Sequence, residues 1–196
     1  MKKLSIALIA IMVLGLNSIA QNTQWKVDPS HSTIGFSIDH LVISETTGEF
    51  GKYDMEIASD KDDFTDATFN VTIAAASIDT EDEKRDGHLK SADFFDVEKY
   101  PTIEFKGKRF EKVGEGKYKV HGTMSMHGVT KEVTLDAKFN GIVKDPWGGT
   151  RAGLKVWGEI DRYDYGLKYN SVLEAGGLAV GQEVRIECRL ELIKQS

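Results

Sequence analysis

Cysteine is almost missing from this chain: Cys188 stands alone, so no disulfide can form within one molecule. Proline is scarce, with Pro29, Pro101 and Pro146 the only three. Sustained basic runs are missing too, and 31 acidic residues against 25 basic ones leave a net charge of −6. That balance argues against nucleic acid, which is held by neutralising phosphates. It argues equally against anionic membrane surfaces, and is most simply a solubility charge. Past residue 20 no apolar run is long enough to span a bilayer.

The one long apolar run is N-terminal. Lys2 and Lys3 precede the stretch Leu4 to Leu16, and Ser18 and Ala20 put small residues where a signal peptidase reads. The expectation is a cleaved signal peptide, 1–20, and a single mature domain, 21–196, exported to the periplasm or secreted. A retained anchor is the alternative, though the run is shorter than the roughly 20 residues a spanning helix prefers. No cysteine follows it, which excludes an acylated lipoprotein. After cleavage no stable membrane insertion is expected. A chain of this length buries a sizeable core without metal or disulfide.

What is present is a period of two, the mark of strands with one buried face. Ile34, Phe36 and Ile38 alternate with small or polar residues, and Tyr53, Met55 and Ile57 follow, with Phe50 out of phase near Gly51. Next come Ala67, Phe69, Val71 and Ile73, then Ile103 and Phe105, then Val120, Gly122, Met124 and Met126. Val133 to Phe139, Ala152 to Ile160 and Val184 to Leu192 complete eight one-faced segments. His127-Gly128 and Asp145 to Gly149 carry turn chemistry. Eight such strands make an all-β antiparallel fold, either a closed barrel or a two-sheet sandwich. Between the third and fourth strands the rhythm stops. Thr80-Glu81-Asp82-Glu83 reads as a capping box, Glu81 and Arg85 are spaced for a helical pair, and a short helix is expected to end near Ser91. Phe94 and Phe95 then form an aromatic loop before Tyr100-Pro101. That segment is either a permanent plug or a lid.

Motifs for catalysis are not found. His31, His40, His88, His121 and His127 show no metal-ligand spacing, so no metal and no cofactor is expected. Cys188 falls on an apolar strand face and reads as an inert core thiol. In Ser30-His31-Ser32 neighbours on a strand would point to opposite faces, which places them badly for proton transfer. No G-x-S-x-G elbow exists. Asn70-Val71-Thr72 matches a glycosylation sequon inside a strand, and is discounted. The residues point to no enzyme. An eight-stranded barrel can be filled by side chains or can hold one small ligand, and the inward list suits both.

Several blocks together resemble the YceI-like family of bacterial exported proteins. They are Trp25-x-Val27-Asp28-x-x-His31-Ser32, Ser77-Ile78-Asp79-Thr80, and Arg85-Asp86-x-His88-Leu89 with Asp93-Phe94-Phe95-Asp96. Tyr100-Pro101-x-Ile103-x-Phe105, His127 to Lys131, and Arg162-x-Asp164-Tyr165-Gly166-Leu167 extend the match across nearly all of the mature chain. The resemblance implies an eight-stranded antiparallel lipocalin-like barrel, to which the residues themselves add the short helix and aromatic loop between strands three and four. It implies a binding protein for a long-chain apolar small molecule, such as a polyisoprenoid, a quinone-like lipid or a fatty amide, for carriage, storage or stress response. No catalytic residue comes with it. The inward parity then nominates Phe36, Ile38, Phe69, Val71, Ile73, Phe105, Met124 and Leu135, with Phe94 and Phe95 from the loop, as the ligand wall. The motif polars Asp28, His31, Arg85, Asp86, His88, Arg162 and Asp164 either grip a ligand head or tie the strand ends together. Two other functions stay open: a lipid- or amide-acting enzyme using His31, His88 or His127, and a structural module with a filled barrel. The oligomeric state is open, a homodimer included.

Overall fold

A computed structural model describes residues 23–173 and 176–195, so the expected signal segment lies outside the described residues. The strands are β1 (Gln24–Val27), β2 (Thr33–His40), β3 (Ser44–Phe50), β4 (Tyr53–Ala58), β5 (Thr68–Ala74) and β6 (Ile78–Asp79). After the helix α1 (Glu83–Lys90) come β7 (Thr102–Gly114), β8 (Lys117–Met126), β9 (Val129–Lys144), β10 (Thr150–Asp161) and β11 (Val180–Lys194). Adjacent strands pair antiparallel in the order β1, β4, β5, β7, β8, β9, β10, β11, and β11 pairs back to β1. The eight-stranded barrel is therefore closed.

Eleven segments make eight strands because three are broken. A turn at Pro29–His31 separates β1 from β2, yet both run along β11. Gly51-Lys52 separates β3 from β4, beside the out-of-phase Phe50. A turn at Ala75–Ser77 separates β5 from β6, and β6 crosses to pair with β3. The polar strand β3, Ser44-Glu-Thr-Thr-Gly-Glu, has no apolar alternation before Phe50, so the period of two does not reveal it. It is held by the ladder to β2.

The turns follow the sequence. His127 and Gly128 both take positive φ, 51° and 78°, as a two-residue hairpin turn requires. The helix start differs from the expected capping box. Asp82, not Thr80, caps α1, accepting from the Arg85 N–H at 2.9 Å. Glu81 lies outside the helix at φ 63°, so its expected helical pairing with Arg85 is lost. Thr80 is committed elsewhere: its N–H and hydroxyl both donate to Asp86.

The two ends of the barrel are closed differently. Phe64 precedes β5 and is buried between Trp25, with ring centres 5.1 Å apart, and Phe139 at 5.3 Å. Helix α1 and the loop 91–101 follow β5's other end and cover the opposite mouth.

Candidate functional site

Inside the barrel lies a cavity of about 390 Å³. That is within the roughly 300–1,000 Å³ of pockets that bury small ligands. Its wall is apolar, and a specific packing device keeps it open. Inward rings lie flat across glycines on the next strand instead of reaching for the axis. A Cβ on Gly107 of β7 would stand 2.3 Å from Cζ of Phe69 on β5, and one on Gly122 of β8 would stand 2.5 Å from Cζ of Phe105. Leu135 leans on Gly158 in the same way. Phe69 and Phe105 stack at 5.7 Å, so the wall is lined by ring faces.

All ten nominated residues border this cavity: Phe36, Ile38, Phe69, Val71, Ile73, Phe94, Phe95, Phe105, Met124 and Leu135. Sequence reading missed Phe64, which bounds the far end from a loop with no strand rhythm, and the glycines behind the rings. An inward-phase glycine inside a long strand is the signal that reveals them, and Gly122 carries it. Cys188 also borders the cavity, and burial pushes its thiol up to about 12, which keeps it protonated and unreactive.

The α1 end is polar. Arg85 donates from Nε to the Thr80 hydroxyl at 2.7 Å and from Nη2 to the Thr80 carbonyl at 2.6 Å. His88 meets Asp93 at 2.9 Å, and its ring stands edge-on to Phe94 at 5.1 Å and Tyr169 at 4.7 Å. Arg162, 3% exposed, donates to the carbonyls of Leu167, Tyr169, Val180 and Gly181. Burial lowers its pKa from the usual value, but a guanidinium remains charged. Arg85, His88 and Arg162 all border the cavity, while Asp28, His31, Asp86 and Asp164 do not.

Those other motif polars tie the frame together. Asp28 caps the turn between β1 and β2 and accepts from Arg151 at 2.7 Å; Arg151 also bonds Asp145 and Glu191, joining the β9–β10 turn to β11. Bonds from Ser30, Arg151 and His31 hold the Asp28 carboxyl far below its usual range. Asp164 pairs with Lys131 across to β9.

Two expectations about chemistry change here. Ser30 and His31 lie on a turn, not a strand, and Ser30 Oγ comes within 3.1 Å of His31 Nδ1. The same Nδ1 also faces Asp28 at 3.1 Å, and Ser30 Oγ donates to Asp28. A nucleophile relay needs serine and carboxylate on opposite ring nitrogens, so this is a capped turn. Donor atoms of Asp28, His31 and Glu191 also gather within 4.8 Å of one another, a convergence that sequence spacing did not reveal. Arg151 already bonds both carboxylates there, and a metal ion would have to displace it.

A closed eight-stranded antiparallel barrel around an apolar cavity, with one helix over its mouth, defines a lipocalin-like class of architecture. Within that class the YceI-like domain model matches residues 25–192, and the chain belongs to this family. The UPF0312 proteins SA2479 and MW2606 of Staphylococcus aureus are each 38% identical over 170 residues, covering 86% of this chain and 96% of theirs. The Campylobacter jejuni YCEI protein superposes with a TM-score of 0.69 at 32% identity, over 81% of this chain and 90% of that one. Burkholderia cenocepacia BcnA gives a TM-score of 0.73 at 21% identity, over 84% and 98%. A polyisoprenoid binding domain from Saccharophagus degradans gives 0.66 at 16% identity, over 87% and 98%. The last two establish the shared fold alone.

Proposed function

We propose that this protein binds a long apolar lipid inside its barrel, and that it is an exported carrier or store, not an enzyme. The observation that carries the reading is the open cavity walled by flattened rings. A filled structural barrel would send those rings to the axis. Each buried methylene contributes about 0.8 kcal/mol, so affinity would come from desolvation along the chain and be weakly selective among chains. The polyisoprenoid-binding description of the Saccharophagus degradans domain is consistent with such a ligand. Catalysis is disfavoured because Ser30 and His31, which do approach each other, lie outside the cavity, and Cys188, which faces it, is held protonated. The test is organic extraction of natively purified protein followed by mass spectrometry. The reading expects an apolar lipid near one per chain; protein that carries none and takes up none on addition would refute it. Export is tested separately by intact mass, expected to lack residues 1–20.

A further inference from the structure

Exposed apolar side chains gather on two neighbouring loops. The turn between β2 and β3 is Leu41-Val42-Ile43, with Val42 71% and Ile43 86% exposed. Leu41 and Val42 take φ of 53° and 64°, the left-handed region where a tight hairpin turn ordinarily places Asn and Gly. A β-branched residue there is strained, and Val42 returns no core packing for it, because its side chain faces water. The second loop lies alongside. The Leu41 N–H donates to the Ala179 carbonyl at 2.9 Å, and Val172, 82% exposed, pairs with Leu178 across an isolated bridge.

Both loops stand at the end of the barrel that α1 covers. His40, the last residue of β2, pairs with Val180, the first of β11, and both border the cavity. Tyr169, just before the second loop, borders it too and rests its ring on His88 of α1 at 4.7 Å. The apolar surface thus runs up to the cavity mouth. The described parts of the two loops, 41–43 and 171–173 with 176–179, carry no charged residue. The acids flanking the first turn, Asp39 and Glu45, both pair with Arg185, at 2.6 and 3.1 Å. An acidic protein therefore presents a neutral apolar tip beside its mouth, which fits a lipid interface better than a charged partner.

Resting on the lipid-binding reading, we propose that this tip docks the barrel on a bilayer surface, so that the ligand passes between membrane and cavity without crossing water. The contact is transient: a few side chains enter the interface while the barrel stays outside. The test uses lipid-free protein and vesicles of zwitterionic phosphatidylcholine holding a fluorescent polyene. Wild type should float with the vesicles, and its rate of polyene uptake should rise with vesicle concentration. The variant Val42→Gly with Ile43→Ser changes two residues that do not border the cavity. It should take up vesicle-held polyene at least about 10-fold more slowly, the scale of one apolar side chain kept out of an apolar phase. Its affinity for free polyene should match wild type, and its urea midpoint should hold or rise as the turn loses its strain. Equal uptake by the two proteins, a rate independent of vesicle concentration, or a lowered urea midpoint would each overturn the docking surface while leaving lipid binding intact. A wild-type dimer that the variant breaks without slowing uptake would likewise overturn it, making the patch a contact between two copies. Wild type that binds the polyene neither free nor from vesicles would instead refute lipid binding itself.

Discussion

Tyr165 is buried to 1% exposure and its hydroxyl has no hydrogen-bond partner among the described residues. An unsatisfied buried hydroxyl costs free energy that its removal returns. Tyr165→Phe should therefore leave stability unchanged or raise it by up to about 1 kcal/mol, read from urea unfolding. A clear loss would mean that the hydroxyl has a partner. Arg151 makes a contrasting case. Its bonds are the main cause that lowers Asp145, and on Asp28 they rank after the Ser30 hydroxyl. A carboxylate with a depressed folded pKa stabilises above its unfolded pKa, and that contribution is lost as pH falls toward the folded value. Wild-type stability should thus decline between about pH 5 and pH 2. Arg151→Met should be less stable at pH 7 and show a shallower decline. Parallel pH curves for the two proteins would contradict the coupling. At this scale the apolar wall was readable, because parity alone sorts Phe69 and Met124 inward. The partners of Asp28 were not, since Arg151 and Glu191 lie far away in sequence and no local pattern joins them.

The strands show how a hollow interior is built. Gly107 and Gly122 let Phe69 and Phe105 lie against the wall, which keeps the centre clear. Gly107→Ala should push the Phe69 ring toward the lumen, costing about 1–3 kcal/mol of stability and weakening ligand binding together. Unchanged affinity in that variant would show that the ring does not set the cavity. The long strands β8 and β11 were legible because their alternation is unbroken, whereas β3 is polar on both faces and is defined only by its neighbours. The capping box misread has a local cause as well, because Asp82 competes for the same helix start two residues later. The segment over the mouth covers the cavity without filling it: Phe94 packs on Tyr169 at 5.0 Å and Phe95 stands edge-on to Phe50 at 6.0 Å. Phe94 is 7% exposed and both rings border the cavity, and on the proposed function the segment is a lid. Replacing both rings by alanine should speed release of a bound fluorescent polyene. The stability loss should stay below the roughly 3–5 kcal/mol of a fully buried ring. Unchanged release with a loss of that size would make the segment a plug.

Taken whole, the molecule is a closed wall with one aromatic end at Phe64 and the other end covered by α1. Closure by β1 on β11 makes the wall continuous around the cavity, leaving the short strand β6, paired to β3, at the end of the order. Such a tube should measure chain length. The most direct test is titration of lipid-free protein with a homologous series of n-alkyl ligands of one head group. Affinity should rise about fourfold per methylene, as burial of about 0.8 kcal/mol each requires, and then level off when the cavity is full. An affinity independent of chain length, or no saturable binding at any length, would contradict a lipid-holding barrel.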